Sequence, residues 1–153
     1  MTGTPATDAT KTPGAPGVQA LQTALAGEHA AVYGYGVLGA HLRGRDQDRA
    51  RTAYAVHRAR RDQLRALIVE RDATPVAAAA GYRLPGPVET ADDAVVLATQ
   101  IEERLAAVWV DAVGDLRGKL RALAARALQD TAVRAATWRG GSLPFPGLPG
   151  QSR

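Results

Sequence analysis

Three residues of types that bind metal ions or form ion pairs interrupt the apolar positions of this sequence. Glu28, His57 and Glu102 each stand in a series of mainly apolar residues spaced three and four apart, which is the spacing of one helix face. An ionisable side chain on a core-facing position is rarely buried unless an opposite charge or a metal ion accompanies it. The sequence therefore predicts that these side chains meet inside the fold, as metal ligands or as members of a charge-paired network.

Further polar residues accompany these three. Arg60 and Arg61 follow His57, and Thr131 and Arg134 stand three residues apart near the end of the chain. An arginine beside carboxylates neutralises them through charge-assisted hydrogen bonds and opposes the binding of a divalent cation. We therefore expect a buried polar network, with a residual metal site at Glu28, His57 and Glu102 as the alternative. The network would comprise Glu28, His57, Glu102, Arg60, Arg61, Thr131 and Arg134.

The first two elements that must position these residues are helices. The spacing of three and four predicts helix one over residues 18–42 and helix two over residues 47–71. Pro75, Pro85 and Pro87 come next, and their rings exclude a continuing helix. One long connection between helices two and three is the consequence.

Helices three and four complete the set. Thr90 and Asp93 have the spacing of a capping box, so helix three is predicted to begin there. Gly114 and Gly118 weaken a helix and indicate a turn between them, after which helix four continues to the residue before Gly140.

Four helices without strand-like alternation predict an all-α protein, a four-helix bundle over residues 18–139. Residues 1–17 alternate Thr, Pro, Gly and Ala, which cannot bury enough surface to offset the entropy of ordering, so we expect a disordered tail. Residues 140–153 are rich in Pro and Gly. Because they hold Phe145, the single phenylalanine of the chain, we expect this tail to pack along the bundle.

Several segments together resemble an uncharacterised branch, a domain of unknown function, of the ferritin-like superfamily. The resemblance covers nearly everything after Gly17, and it implies the ferritin-like four-helix bundle. The segments that carry it are Ala20–Tyr35, His57–Leu64, Glu102–Trp109, Ala135–Arg139 and Phe145–Pro149.

The resemblance also implies where metal ligands would lie. A di-metal carboxylate site takes one Glu from each of two helices and a Glu-x-x-His pair from each of the other two. Glu28 matches the single Glu of the first helix, and Glu102, or Glu103 in a less favoured alignment, matches that of the third.

The two Glu-x-x-His pairs have no complete counterpart. In helix two the pair falls on His57-x-x-Arg60 or on Tyr54-x-x-His57, and either alignment loses a ligand. In helix four it falls on Thr131-x-x-Arg134, which supplies neither a carboxylate nor an imidazole. At most three ligands remain, so the resemblance implies a degenerate di-iron site.

Composition excludes other classes of site and of protein. The absence of cysteine excludes disulfides, thiolate nucleophiles and Cys-type zinc sites. No apolar run reaches the roughly 18 to 20 residues that a membrane span requires, so we expect no membrane partner. Residues 1–17 lack the apolar core of a secretory signal, and the expected location is cytoplasmic.

The net charge of +4 raises the possibility of a nucleic-acid partner, because phosphate affinity grows with the number of cations presented. Helix two and its entry are strongly basic, but Asp46, Asp48 and Asp62 interleave with the arginines, which is typical of a solvated helix surface. We therefore do not expect nucleic acid as the partner, and a nucleic-acid-associated protein is the second alternative.

The sequence favours a non-catalytic ferritin-like protein that acts as a structural or interaction module without a cofactor. Gly34, Gly36 and Gly39 are costly inside a helix, and they allow close approach either within the bundle or across a homodimer interface. The first alternative is an iron- or manganese-binding oxidase or iron-handling protein that uses Glu28, His57 and Glu102. The sequence does not identify a protein partner or a substrate.

Overall fold

Four α-helices make up the fold of this chain. The computed structural model describes Ala15 and residues 17–141. The helices are α1 (Val18–Leu38), α2 (Gly44–Val69), α3 (Ala91–Asp115) and α4 (Gly118–Arg139). No strand occurs among the described residues, and the long connection lies between α2 and α3. The prediction of an all-α four-helix bundle with one long link is confirmed.

Helix boundaries differ from the predictions mainly between α1 and α2. Helix one ends at Leu38, and Gly39–His41 form a separate 3-10 turn. Helix two begins at Gly44, where a positive φ of 56° suits glycine, and not at residue 47. The predictions for residues 1–14 and 142–153 of the two tails lie outside the described residues.

The capping box at the start of α3 is confirmed. The Asp93 backbone N–H donates to Thr90 Oγ1 at 3.1 Å, and the Thr90 backbone N–H donates to Asp93 Oδ2 at 2.9 Å. These hydrogen bonds from Thr90 and from the Glu89 and Thr90 backbone lower the pKa of Asp93. The capping box therefore fixes the residue at which α3 begins.

Two apolar clusters form the core, one toward each end of the bundle. One contains Leu25, Leu64 and Trp109, and the other contains Leu38, Ala53 and Trp138. In α2, α3 and α4 the fully buried polar residue lies in sequence between the residues that the two clusters take from that helix, and in α1 Glu28 lies between Leu25 and Ala31 of the first cluster, ahead of Tyr35 of the second. The four helices thus carry a polar layer between two apolar layers; its fully buried members are Glu28, His57, Glu102 and Thr131.

Small residues let α1 approach α3 closely. A Cβ atom at Gly27 would lie 2.7 Å from Leu105 Cδ1, and one at Gly34 would lie 2.5 Å from Ile101 Cδ1. Gly34 therefore serves packing within the bundle. A Cβ atom added at Gly36 would lie in open space, and so would one added at Gly39 in the following turn.

Hydrogen bonds join the connection between α2 and α3 to α1. The Gln22 side chain donates to the Thr74 carbonyl at 2.7 Å and accepts from the Val76 backbone N–H at 2.8 Å. His29 Nε2 lies 3.1 Å from the Val76 carbonyl, and its side chain is buried. Among the described residues, the helices lack the apolar length that a bilayer-spanning segment requires.

Candidate functional site

A buried histidine joins two carboxylates at the centre of the polar layer. His57 Nδ1 lies 2.7 Å from Glu28 Oε2, and His57 Nε2 lies 3.0 Å from Glu102 Oε1. All three side chains are fully buried, and they come from α2, α1 and α3 respectively. Both ring nitrogens are therefore occupied by hydrogen bonds to carboxylates on opposite sides of the ring.

The charges of this group favour an imidazolium between two carboxylates. Burial by itself would lower the pKa of His57, but the hydrogen bonds and charges of Glu102 and Glu28 outweigh it, and the pKa is raised. Burial by itself would raise the pKa of Glu102, but His57, Arg134 and Tyr35 outweigh it, and the pKa is lowered. A ring protonated on both nitrogens can donate to both carboxylates, whereas a neutral ring donates to only one.

Two aromatic residues extend the network on the Glu102 side. The Tyr35 hydroxyl donates to Glu102 Oε1 at 2.6 Å and accepts from Trp138 Nε1 at 2.9 Å. The Tyr35 ring also stacks on the His57 ring with centroids 5.2 Å apart. Burial, together with the charge of Glu102, raises the pKa of Tyr35, so this hydroxyl remains a hydrogen-bond donor.

Arg134 approaches the network from α4. Its Nε donates to Glu102 Oε1 at 3.0 Å, and its Nη2 makes a longer contact of 3.4 Å with Thr131 Oγ1. Glu102 Oε1 thus accepts from His57, Tyr35 and Arg134 together. This crowding of donors on one oxygen is the physical reason that Glu102 stays ionised in a buried position.

Arg60 lies on the Glu28 side of the network. Its Nη2 donates to Asp130 Oδ2 at 3.0 Å, and its Nη1 lies 3.8 Å from Glu28 Oε1. The guanidinium carbon also lies 5.8 Å from the centroid of the Trp109 ring, within range of a cation–π contact. Three carboxylates, those of Glu28, Glu102 and Asp130, therefore face the imidazolium and two arginines.

Four buried polar atoms have no hydrogen-bond partner among the described residues. Glu28 Oε1 and Arg60 Nη1 face each other beyond hydrogen-bond distance, and Glu102 Oε2 and Trp109 Nε1 complete the set. Each costs free energy relative to its hydrated state. The network is thus balanced in charge but incompletely hydrogen-bonded.

The structure brings together six of the seven residues that the sequence places in the network. The seventh, Arg61, lies outside it, since it pairs with the adjacent Asp62 at 2.8 Å at the surface. Arg61 follows Arg60 by one residue, and this step turns the side chain by 100° away from the bundle axis. Glu103 also lies outside, where it accepts from Arg139 at 2.7 Å, so Glu102 is the inward residue of the pair.

Sequence reasoning missed three members of the network: Tyr35, Trp138 and Asp130. Tyr35 stands on the same apolar series as Glu28, and a buried tyrosine hydroxyl usually finds a polar partner, which is a usable signal. The same holds for the Trp138 indole N–H. No sequence signal pairs Asp130 with Arg60, because the two residues come from different helices.

The residues present do not fit the di-iron centre that a ferritin-like fold implies. A metal ion needs an imidazole lone pair, and both nitrogens of His57 are engaged by carboxylates. Arg134 and Arg60 lie beside those carboxylates, and Thr131 supplies no carboxylate or imidazole. Among residues 17–141 and Ala15, no group of three or more His, Cys, Asp or Glu side chains is placed to hold a metal ion.

The sequence matches a known family over residues 20–150, described as a domain of unknown function (DUF4439). The chain belongs to the DUF4439 family. Among curated proteins, none matches the sequence.

Two solved structures are similar to this DUF4439 chain. A conserved hypothetical protein, rv2844, from Mycobacterium tuberculosis is 37% identical, with a TM-score of 0.78 over 81% of this chain and 95% of that one. A ferritin-like, diiron-carboxylate protein from Bacillus anthracis str. Ames is 15% identical, with a TM-score of 0.71 over 81% and 93% of the respective chains. The second likeness shows the fold alone. The predictions of an uncharacterised family and of a ferritin-like fold are confirmed.

Proposed function

We propose that this DUF4439 protein is a non-catalytic member of the ferritin-like superfamily, in which protein cations take the place of a di-iron centre. One observation carries the proposal: His57 is hydrogen-bonded through both nitrogens, at 2.7 and 3.0 Å, to the two carboxylates that would otherwise be ligands. A metal ion would have to displace at least one of these bonds and remove a proton from the ring.

The arginines strengthen this reading. Arg134 bonds directly to Glu102 at 3.0 Å, and Arg60 lies 3.8 Å from Glu28. A divalent ion between the carboxylates would be repelled by two fixed positive charges that never lose their protons. The carboxylates are thus neutralised without metal, and the layer serves to fix the packing of the four helices.

Metal analysis tests the proposal. The wild type and Glu28→Gln are incubated aerobically with Fe(II) or Mn(II), desalted and analysed for bound metal. We expect far less than one ion per chain, with no difference between the two proteins. Stoichiometric metal that is lost in Glu28→Gln would overturn the proposal and support the iron- or manganese-dependent alternative.

A module without chemistry of its own acts through its surface, and the proposal therefore includes an interaction role. A second copy of the chain is the first partner to test, since Gly36 and Gly39 leave open space at the surface of the first helix and the following turn. The proposal also includes a cytoplasmic location.

Nucleic acid is a less favoured partner, because acidic side chains pair with arginines on the surface of α2. Arginines of α2 pair with acids one turn away, Arg49 with Asp46 at 2.9 Å and Arg51 with Asp48 at 3.7 Å. These pairs reduce the charge available to phosphates. Binding of generic DNA that weakens steeply with salt would restore that alternative.

A further inference from the structure

A cleft opens between α2 and α4 beside the network. Its volume is about 400 Å³, within the range of small-molecule sites. The backbones of α2 and α4 are not packed together as those of α1 and α2 or of α3 and α4 are. Side chains therefore span the gap between α2 and α4, and the cleft lies where they leave room.

One side of the cleft is apolar. Val56 and Ala53 of α2 and Trp138 of α4 line it. Trp138 donates its indole N–H inward to Tyr35, so the ring presents carbon surface to the cleft. A ligand that fills this space must therefore bring an apolar body.

The cleft also carries uncompensated positive charge. Arg45, Arg49 and Arg134 line it with a single acid, Asp48. Arg49 is paired with Asp46 at 2.9 Å, and Asp48 with Arg51 at 3.7 Å, so these charges largely cancel. Arg45 makes no ion pair within the described part of the chain.

Arg134 links the cleft to the network. Its hydrogen bonds to Glu102 and Thr131 use Nε and Nη2, and its Nη1 makes none with the described residues. Glu102 largely neutralises the charge of Arg134. The charge of Arg45 remains, so the cleft as a whole presents about one positive charge in excess. One excess charge beside an apolar wall matches a monoanion better than a phosphate dianion.

We propose that this cleft binds a small organic carboxylate with an apolar body. The carboxylate lies between Arg45 and Arg134, and the body lies against Val56 and Trp138. This binding site is independent of the proposal that the network holds no metal, because none of its contacts requires His57 or Glu28 to be free.

Titration with benzoate, followed by NMR, tests the site. We expect a saturable shift of the Trp138 indole N–H resonance, assigned by its loss in Trp138→Phe. The His57 ring resonances should shift with the same saturation curve, because Arg134 contacts both the ligand and Glu102. Benzyl alcohol, which lacks the charge, and acetate, which lacks the apolar body, should each bind at least about tenfold more weakly, the equivalent of one lost interaction of about 1.4 kcal/mol.

Two arginines of α2 give a matched pair of variants. Arg45→Ala should weaken benzoate about five- to tenfold, whereas Arg65→Ala, which removes an exposed arginine of the same helix outside the cleft, should change it less than about twofold. Thr137→Trp, which fills the cleft from an exposed position on α4, should abolish the saturable shift. A circular dichroism spectrum that matches the wild-type spectrum confirms that each variant is folded.

Three results would overturn the site. The first is the absence of a saturable shift with benzoate in the wild type. The second is equal weakening by Arg45→Ala and Arg65→Ala, which would indicate only a general effect of charge. The third is binding of benzyl alcohol as tight as that of benzoate, which would show an apolar cleft without carboxylate recognition. Metal content plays no part in these measurements, so their failure leaves the proposed function untouched.

Discussion

At the scale of single residues, Glu102 makes more hydrogen bonds than any other member of the network. One of its oxygens accepts from His57, Tyr35 and Arg134, which come from three different elements. Burying a carboxylate is costly, and these donors offset the cost only as long as its charge is present. The same reasoning applies to His57, whose two bonds require two protons on the ring.

Removal of the Glu102 charge should therefore be strongly destabilising. Glu102→Gln leaves His57 and Arg134 without their anion, and we expect a loss of about 3–5 kcal/mol in the free energy of unfolding. Glu103→Gln is the matched control, because its side chain is 40% exposed and, among the described residues, pairs with Arg139 alone. That variant should lose less than about 1 kcal/mol. Urea denaturation measures both, and equal losses would contradict the central role of Glu102.

The network also sets a pH dependence. The pKa of His57 is raised above its ordinary 6.5, so its contribution is complete below pH 6.5 and is lost as pH rises through the raised pKa. The pKa of Glu102 is lowered below 4.5, so its contribution is present above pH 4.5 and is lost as pH falls through the lowered pKa. These two groups therefore stabilise the fold most between pH 4.5 and 6.5.

We expect the free energy of unfolding to decline as the pH rises above 6.5 and through the raised pKa of His57. His57→Gln, although less stable overall, should lose this alkaline decline, because no imidazolium remains to be deprotonated. His41→Gln, which changes a histidine of the 3-10 turn, should keep it. A decline of the same size in His57→Gln would assign the pH dependence to other groups.

At the scale of elements, the contact of α1 with α3 depends on glycines at specific positions. Gly34 lies against Ile101, whereas Gly36, two residues later, faces open space. The two positions share a helix and an intrinsic cost relative to alanine. They differ in what the methyl group of an alanine would contact at each position.

This difference allows a paired test. Gly36→Ala should stabilise the protein by up to about 1 kcal/mol, because alanine is the better helix former. Gly34→Ala should be at least about 1 kcal/mol less stable than Gly36→Ala, because overpacking against Ile101 offsets that gain. Thermal denaturation of both variants gives the comparison, and equal stabilisation would mean that Ile101 moves aside without cost.

At the scale of the whole molecule, a layer of paired charges separates two apolar clusters. Such a layer restricts which helix faces can meet, because any shift of one helix would leave a buried charge unpaired. The molecule has no bound cofactor in this proposal, so its outer surface is what other molecules meet. Association with a second copy is therefore the property to measure.

Sedimentation should show a concentration-dependent homodimer. Gly36→Arg places a long charged side chain in the open space of α1 and should shift the protein toward monomer. Ala26→Arg, at another exposed position of the same helix, is the control and should leave the equilibrium unchanged. A monomer at high concentration in the wild type would remove the homodimer from the proposal.

The sequence by itself determined the helices and the depth of the key residues. Apolar spacing of three and four identifies the buried face of a helix, and prolines between 72 and 89 interrupt the chain at one place. A polar residue within such a face must be inward, which is why Glu28, His57 and Glu102 were identified correctly as buried. These properties are local, since each depends on residues that are near in sequence.

Only the tertiary structure decided which partners meet. The sequence placed Arg60, Arg61 and Arg134 in the network, but Arg61 lies outside it. Tyr35, Trp138 and Asp130 join from positions that helix spacing alone does not pair. The cleft between α2 and α4 is likewise invisible in the sequence. Periodicity defines the direction of a side chain around its own helix, whereas a hydrogen bond between helices also depends on their separation, relative height and rotation, which the packing of the whole bundle sets.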